Sequence, residues 1–542
     1  MNNSNNDLLE RLERLNAIGV ALSAERDTNR TLEMILEAAK SLTNADGGTL
    51  YRVTDDNRLK FEILRNDTLN IAMGGTKGAP IPFDPLPLYD EQGNPNNSMV
   101  VAYSVLHDTT INIEDAYSAE GFDFSGTRNF DKKTGYRSKS FLTVPMKNHE
   151  NEIIGVLQLI NVKHGETGEI IPFSKSDQRL TESLASQAAI ALTNRLLITQ
   201  LEELFESFVR LINIAIDEKS PYTGGHCARV PVLTMLLAEA ASAATEGPLK
   251  DFRLTDADRK ELKIAALLHD CGKVTTPVHV VDKATKLQTI FDRIQLLDTR
   301  FELLKRDAEI EFLRSSLQAA KSGDMGSHSR LEAVFQQRLN QLDDDRAFLR
   351  KCNAGSEFMS PEDRQRVENI ARYGWVDEKG EAAPFLSEDE EKNLKIAKGT
   401  LTDEERQVIN YHIVATIKML EALPWPKHLK RVPEYAGGHH ERMDGKGYPK
   451  GLTREQMPIQ ARTMAIADIF EALTALDRPY KRGIPLAESL RILGLMKLDN
   501  HIDPDLFDIF IREKIYAKYA EQFLESAQID EVDMTKIPGF SG

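Results

Sequence analysis

Cysteine is scarce in this chain of 542 residues, which contains only Cys227, Cys271 and Cys352. Three cysteines cannot form the disulfide framework of a small secreted protein, and their spacing does not match a thiolate zinc motif. The sequence therefore favours a reducing compartment, and we expect a cytoplasmic protein.

Positive charge is also in short supply. The 68 lysines and arginines are outnumbered by 84 aspartates and glutamates, which leaves a formal net charge of -16. General binding to nucleic acid or to an anionic membrane surface needs clustered positive potential, so the composition argues against both. An anionic substrate would have to meet a local basic pocket.

Long apolar runs are missing as well. No window of the sequence reaches the roughly 18 apolar residues of a membrane-spanning helix. The first residues, "MNNSNNDLLERLERL", lack the basic start and apolar core of a signal peptide. We therefore expect a soluble, intracellular protein without a membrane partner.

The length predicts two or three domains, and the first is an α/β module. An N-terminal helix is predicted over residues 1–28, and the module itself over residues 29–175. Amphipathic helical patterns come first, and four strand signals follow: "GGTLYRV", "RLKFEIL", "KSFLTVPMKN" and "EIIGVLQLINV".

One long connecting helix is predicted over residues 176–219, a segment without proline or glycine. Its apolar residues recur with a period close to 3.5, at Leu184, Ala191, Ile198, Leu201, Phe205, Phe208 and Ile212. The helix either packs on its own domain or pairs with a second copy as a parallel dimer helix that carries a signal. Gln187 and Asn194 interrupt the seam, so both interpretations stay open.

Helical periodicity dominates the rest of the chain, which predicts a second, all-α domain in two parts, 220–287 and 400–542. Between them, residues 288–399 are charge-rich and leucine-periodic, and we expect an inserted helical hairpin there. The predicted fold class is therefore multidomain α+β.

Histidines and aspartates interrupt the apolar faces of several predicted helices, a costly placement unless these side chains are paired or bind metal. The residues in such contexts are His226, His269, Asp270, His412, His439, His440 and Asp468. Imidazole and carboxylate together suit first-row divalent metals such as iron, manganese or zinc, and Asp270 could bridge two ions.

Three competing catalytic motifs fail on the residues present. Lys446 is followed by Gly447 and not by serine or threonine, so the phosphate-binding P-loop is incomplete. His440 and Glu441 are followed by Asp444 where a zincin helix needs its second histidine. No Gly-x-Ser-x-Gly elbow of a serine hydrolase is present.

The motifs "HDCGK", "HHERMDGKGYPKGL" and "ADIFEALTALDRPYK" resemble the HD-GYP family, a branch of the HD phosphohydrolases. The resemblance covers about residues 205–287 and 401–527. It implies a helical domain that hydrolyses cyclic di-GMP at a metal centre, to linear pGpG, to GMP or to both. A mixed cyclic GMP-AMP substrate stays open.

The resemblance also implies two divalent ions, most often iron or manganese. The first would be held by His226, His269, Asp270 and Asp468. The second would be held by His412, His439 and His440, with Asp270 bridging. Family members with three ions carry a carboxylate at the position of Tyr222, so two ions are expected here.

The same resemblance assigns the substrate contacts. Lys273 would act with Asp270 in catalysis and contact the scissile phosphate, while Arg478 and Lys481 would meet the phosphates and bases. Tyr448 is a further substrate-binding candidate. The alternative is a non-catalytic sensor or scaffold that docks a diguanylate cyclase through the loop Gly447-Tyr448-Pro449. The glycines of this loop either admit a substrate or partner or form a structural turn.

The segment "TGYRSKSFLTVPMKNHENEIIGVLQLINV" makes the first module, about residues 29–197, resemble a GAF domain, which implies a central antiparallel sheet. Asn161, Phe173 and Asp177 match the pattern of cyclic-nucleotide-binding members, whereas Val162 and Gln178 replace its lysine and glutamate. The module contains no cysteine, which excludes a thioether-linked bilin. It is either a sensor of an unknown small molecule or a dimerising or packing module.

Overall fold

The structure, a computed structural model, describes residues 2–76, 78–220, 225–324, 326–355, 358–377, 379–476 and 483–540, with side chains from residue 10 onward. Three residues singled out above, Tyr222, Arg478 and Lys481, lie outside these ranges. The chain divides into two compact units, residues 1–205 and 206–542. Among the helices of the described ranges, none combines the length and the apolarity needed to cross a membrane.

The first unit contains a sheet flanked by helices. Its elements are α1 (Asn2–Ala24), α2 (Thr28–Thr43), β1 (Ala45–Val53), β2 (Arg58–Asn66), β3 (Ile71–Gly74), β4 (Leu86–Pro87), α3 (Val100–Leu106), β5 (Ile111–Ile113), α4 (Ser125–Thr134), β6 (Phe141–Lys147), β7 (Ile153–Lys163), β8 (Ile170–Ile171) and the start of α5 (Lys175–Lys219).

The sheet of this unit is antiparallel and has the order β3-β2-β1-β7-β6-β5, with β4 beside β2 and β8 beside β7. The four predicted strands are β1, β2, β6 and β7. Apolar side chains of α2 and α5, such as Leu36 and Leu184, pack against Leu50, Leu157 and Leu159 of the sheet. The predicted antiparallel sheet with helices is confirmed.

Helix α5 is 45 residues long and runs from the first unit into the second. Leu184 is buried in the sheet core and therefore does not belong to an exposed seam. Farther along the helix, Leu201 is 64% exposed, Leu204 52% and Phe208 56%. This half of α5 carries an apolar face that the described residues of the chain leave open to solvent.

In its described residues, the second unit is helical apart from one small two-stranded sheet. Its α-helices and strands are α6 (His226–Ala243), α7 (Asp256–Leu268), α8 (Val278–Val281), α9 (Ile294–Ser322), α10 (His328–Asn353), α11 (Pro361–Ala371), β9 (Gly374–Val376), β10 (Ala382–Pro384), α12 (Glu388–Leu394), α13 (Asp403–Glu421), α14 (Val432–Gly437), α15 (Ile459–Thr474), α16 (Leu486–Leu498), α17 (Pro504–Arg512) and α18 (Ile515–Phe523). The 3-10 helices are Cys271–Thr275, Lys427–Leu429, Arg454–Gln456, Ser526–Gln528 and Met534–Lys536.

Capping boxes fix the starts of the helices that carry the later motifs. Thr255 and Asp258 exchange side-chain and backbone hydrogen bonds at the start of α7, and Thr402 and Glu405 do the same at α13. Each cap satisfies backbone N–H groups and contributes about 1 kcal/mol. Helix α6 packs on α7 and α15, while α14 packs on α7, α13 and α15, so these five helices surround a common core.

Segment 288–399 contains two long helices and several shorter elements beside them. Helices α9 and α10 pack against each other, and Arg346 and Arg350 of α10 both pair with Asp298 of α9. Two shorter helices, α11 and α12, and the hairpin of β9 and β10 follow. Phe385 and Leu394 join the apolar core that these elements share with α9 and α10.

Candidate metal centre

The seven histidines and aspartates predicted as metal ligands come from five helices and meet in one place. His226 is the first residue of α6, and His269 and Asp270 follow the end of α7 directly. His412 lies in the middle of α13, the pair His439 and His440 follows α14, and Asp468 lies on α15. Six of the seven are buried and His440 is partly buried.

Asp270 lies at the centre of this cluster, and its two oxygens face different histidines. Oδ1 is 3.1 Å from Nε2 of His412. Oδ2 is 3.1 Å from Nε2 of His226 and 3.3 Å from Nε2 of His269. Burial disfavours its charge, but Lys273 and His269 outweigh burial and hold the pKa of the Asp270 carboxyl well below its usual range. Asp270 is therefore an anion with imidazole nitrogens on both sides.

The histidine rings are oriented by backbone carbonyls three residues earlier in the chain. Nδ1 of His269 lies 2.8 Å from the carbonyl oxygen of Ala266, and Nδ1 of His439 lies 2.6 Å from that of Ala436. Nδ1 of His412 makes the same contact with Ile409. A ring that donates from Nδ1 presents an unprotonated Nε2, which is the form that binds metal.

Glu471, which the sequence reasoning missed, orients the remaining histidine of α6. This fully buried carboxylate contacts Nδ1 of His226 and accepts a 2.8 Å hydrogen bond from Nε of Arg229. Burial lowers the pKa of His226, but Glu471, Asp270 and Asp468 more than offset this and raise it. The signal in the sequence was spacing, because Glu471 follows Asp468 by three residues and so shares its helical face.

Gly272 lets the "HDCGK" segment lie directly on α13. A Cβ at this position would lie 2.0 Å from the carbonyl oxygen of His412 and 2.5 Å from the backbone nitrogen of Thr416. The backbone N–H of Gly272 donates to Oγ1 of Thr416 at 2.9 Å. The glycine thus brings Asp270 within reach of His412, and Thr416 is a second residue that the sequence did not reveal.

The glycine-rich loop after His440 is folded back on its own backbone. A Cβ at Gly447 would lie 2.3 Å from the backbone nitrogen of Arg442. The buried Glu441 carboxylate accepts hydrogen bonds from the N–H groups of Lys450 and Leu452, at 2.7 and 2.9 Å. Of the two interpretations of these glycines, the contacts favour the structural turn.

Tyr448 of this loop lies beside the cluster. Its ring stacks on that of His440, with centroids 4.9 Å apart. Both rings line a cavity of 540 Å³, together with Asp468, Lys446 and His501. A cavity of this size is in the range of small-molecule sites, and three candidate metal ligands, His439, His440 and Asp468, line it.

The donor atoms fit divalent cations. His412, His439 and His440 form one group of donors, and His226, His269 and Asp468 form another. Oδ1 of Asp270 and Nε2 of His412 and His439 are buried and form no hydrogen bond with any described residue. Burial holds the pKa of His439 well below its usual range and lowers the pKa of His440 to about 4, so both rings are neutral near pH 7. Buried polar atoms without partners are costly, and coordination would satisfy them.

In the first unit, the residues that match the cyclic-nucleotide pattern have structural contacts. The side-chain oxygen of Asn161 accepts a 2.7 Å hydrogen bond from the N–H of Lys139. Asp177 accepts hydrogen bonds from Ser174 and from Arg11, and Phe173 is buried in the sheet core. These contacts give each of the three residues a structural role that does not require a bound ligand.

Comparison with known proteins gives three family matches. A model described as a GAF domain matches residues 27–192, and models described as an HD domain match residues 223–320 and 389–506. The second and third matches contain all seven histidines and aspartates of the cluster.

Several relatives of known name match part of this chain. A cyclic di-GMP phosphodiesterase of Pseudomonas aeruginosa is 37% identical over 135 residues, which are 25% of this chain and 31% of that protein. A 3'3'-cGAMP-specific phosphodiesterase of Vibrio cholerae is 37% identical over 109 residues, 20% of this chain and 23% of that protein. A probable cyclic di-GMP phosphodiesterase of Vibrio cholerae is 27% identical over 270 residues, 46% of this chain and 56% of that protein. The matches thus span at most about half of the length of these relatives.

Proposed function

We propose that this chain, in which a GAF domain precedes an HD domain of the HD-GYP type, is a metal-dependent phosphodiesterase that hydrolyses cyclic di-GMP. The observation that carries the proposal is the position of Asp270, whose two oxygens face His412 and His226, each at 3.1 Å. One carboxylate between two sets of imidazole donors is suited to bridging two cations.

We propose two ions per chain. His226, His269 and Asp468 would hold one ion, and His412, His439 and His440 the other, with Asp270 shared. Mixed imidazole and carboxylate donors suit first-row divalent metals, and the resemblance to the HD-GYP family favours iron or manganese among them. When bound, such ions supply Lewis acidity and lower the pKa of a water molecule. At His226, a cation on Nε2 would take the place of the proton that its carboxylate neighbours favour.

The chain's own residues bind and orient the substrate. Nζ of Lys273 lies 2.5 Å from Oδ2 of Asp270, and the side chain is 19% exposed, so its positive charge is close to the donors and in reach of an anion. We assign it to the scissile phosphate, where a fixed charge stabilises the transition state. Tyr448 offers its ring to a base on the cavity wall. Arg478 and Lys481 keep the substrate contacts proposed from the sequence.

The names of the relatives favour a cyclic dinucleotide as substrate, but they include both cyclic di-GMP and 3'3'-cGAMP. The two compounds share a ring with two phosphodiester bonds and differ in one base. Because the cluster acts on the phosphodiester, the choice between them depends on the walls of the cavity. We propose cyclic di-GMP, cleaved to pGpG, to GMP or to both.

We further propose that the protein is a homodimer joined through α5 and regulated by its GAF domain. Leu197, Leu201, Leu204, Phe208 and Leu211 follow each other at alternating steps of four and three residues and are between 44% and 64% exposed. This is the heptad spacing of a two-stranded coiled coil, so a second copy of α5 would cover the face. A ligand of the GAF domain could then act on the HD domain through a paired helix.

Hydrolysis by the purified full-length protein tests the function. The protein is loaded with Fe²⁺ or Mn²⁺ and incubated in turn with cyclic di-GMP and 3'3'-cGAMP, and the products are separated by anion-exchange chromatography. We expect pGpG or GMP from cyclic di-GMP, and faster turnover of it than of 3'3'-cGAMP. If the protein binds cyclic di-GMP tightly but does not hydrolyse it with either metal, the result would contradict the enzymatic function and favour the sensor or scaffold.

A further inference from the structure

Two adjoining cavities lie in the second unit, beside the first turns of α13 and the loop that precedes it. One has a volume of 430 Å³ and the other of 360 Å³. They share Lys398, Leu401 and Arg406 in their walls. Neither is lined by a residue of the candidate metal centre, so both are distinct from the cavity beside Tyr448.

The walls of these cavities are strongly basic. Among the described residues, one carboxylate, Asp403, lines them, against six cationic side chains: Lys283, Arg364, Lys392, Lys395, Lys398 and Arg406. The chain as a whole carries a net charge of -16, so this concentration of positive charge departs sharply from its average. A basic, concave surface in an acidic protein is suited to an anionic ligand.

Half of these cations are already neutralised by carboxylates. The pairs are Lys283 with Glu405, Lys392 with Glu404, and Lys395 with Glu368. The side chains of Arg364, Lys398 and Arg406, in contrast, form no ion pair with any residue that the structure describes. Nε of Arg364 is also buried and forms no hydrogen bond within the described part of the chain. Three cations around one space, none of them paired with a described carboxylate, are suited to an anionic ligand.

The two cavities differ in character, and this difference defines the ligand. Val280, Val281, Leu401 and Ile409 give the larger cavity an apolar wall, whereas the smaller one is lined mainly by polar and basic side chains. A ligand that fills both needs an apolar part and a polyanionic part. We propose that these cavities bind a nucleoside polyphosphate, with the base against the apolar wall and the phosphates among Arg364, Lys398 and Arg406.

The site is close to the metal centre along one helix. Arg406, Ile409 and His412 lie on successive turns of α13, and the carbonyl oxygen of Ile409 is the atom that orients the ring of His412. A bound nucleotide that packs on Ile409 therefore contacts the residue that positions a ligand of the metal. This coupling rests on the proposed phosphodiesterase function, whereas binding does not.

Calorimetric titration of the full-length protein with GTP, ATP, guanosine and inorganic pyrophosphate tests the proposal. We expect saturable binding of a nucleoside triphosphate and weaker binding of guanosine and of pyrophosphate. Loss of charge-assisted contacts in Lys398→Gln/Arg406→Gln should weaken binding by about tenfold for each cation removed. The control Lys427→Gln/Lys430→Gln removes the same charge from exposed positions elsewhere and should bind as the wild type does.

Several results would overturn the site. The first is that neither GTP nor ATP binds saturably at millimolar concentration. The second is that Lys398→Gln/Arg406→Gln binds nucleotide as tightly as the wild type. The third is that a folded Asp270→Ala variant loses nucleotide binding. Pyrophosphate that binds as tightly as GTP would contradict the nucleotide class. In a parallel hydrolysis assay, Lys398→Gln/Arg406→Gln should keep the basal rate and lose any effect of nucleotide on it. A failure of hydrolysis alone leaves the binding result intact, so the two proposals fail separately.

Discussion

Glu471→Gln is the substitution that best isolates how the chain prepares its metal ligands. The glutamine keeps the shape of a fully buried side chain and removes its charge. In the native protein this carboxylate contacts Nδ1 of His226 and pairs with Arg229. The variant can still contact Nδ1, but it no longer favours the tautomer and charge distribution that make Nε2 a strong donor.

The expected loss can be worked out from this contact. Removing the partner that orients a ligating histidine costs about 10-fold to 100-fold in metal affinity. That range corresponds to about 1.4 to 2.8 kcal/mol of binding free energy. The variant also removes the buried charge of Glu471 that pairs with Arg229, so we expect a lower free energy of unfolding, since breaking a buried pair costs about 3 to 5 kcal/mol.

Metal affinity is measured by competition with a chelator, and stability by thermal unfolding of the metal-free protein. The matched control is Glu390→Gln, which removes another buried carboxylate, paired with Arg300 at 2.7 Å in the inserted segment. We expect both variants to be less stable and only Glu471→Gln to bind metal more weakly. Wild-type metal affinity in Glu471→Gln, or an equal loss in Glu390→Gln, would refute the reasoning.

Three further predictions concern the "HDCGK" segment, acid stability and the long helix. Gly272→Ala should lower both activity and the melting temperature, because its Cβ would lie 2.0 Å from the carbonyl oxygen of His412, and overpacking costs about 1 to 3 kcal/mol; unchanged melting would contradict this. Burial raises the pKa of Asp503, but its arginine partners more than offset this and lower it. The stability that Asp503 contributes is therefore present above its unfolded pKa of about 3.9 and is lost as pH falls through the lowered folded value. In urea unfolding, the free energy of unfolding of Asp503→Asn should be about 3 kcal/mol below that of the wild type at pH 7. This difference should become smaller below about pH 4, and a difference that does not change with pH would contradict the prediction. Leu204→Glu should weaken the dimer at least tenfold in sedimentation, since a buried charge opposes pairing of α5, whereas Thr199→Glu, on the opposite side of the helix, should not.

Much of the fold follows from short-range patterns. The strands β1, β2, β6 and β7 alternate or cluster β-branched and aromatic residues, and α13 begins at a capping box, so both kinds of element were visible in the sequence. The hairpin of β9 and β10 was not expected. Each of its strands has three residues, too few to show a period of two.

The candidate site was predictable where a polar side chain interrupts an apolar helix. His269, His412 and Asp468 stand out in this way, and the motifs around them added the rest of the donors. Glu471 was missed because one carboxylate in an apolar helix is uninformative until its partner is known, and that partner is 245 residues away. Thr416 escaped notice because a helical threonine usually bonds its own backbone. Such contacts depend on tertiary packing.

Metal content and hydrolysis of Asp270→Ala, measured on one preparation, test the central claim most directly. The control Asp345→Ala removes a buried carboxylate that pairs with Arg366 in the inserted segment. We expect about two ions per chain in the wild type and the control. In Asp270→Ala we expect fewer ions and a loss of cyclic di-GMP hydrolysis of about a hundredfold or more. Wild-type metal content and turnover in Asp270→Ala would contradict the assignment of Asp270 as the bridge.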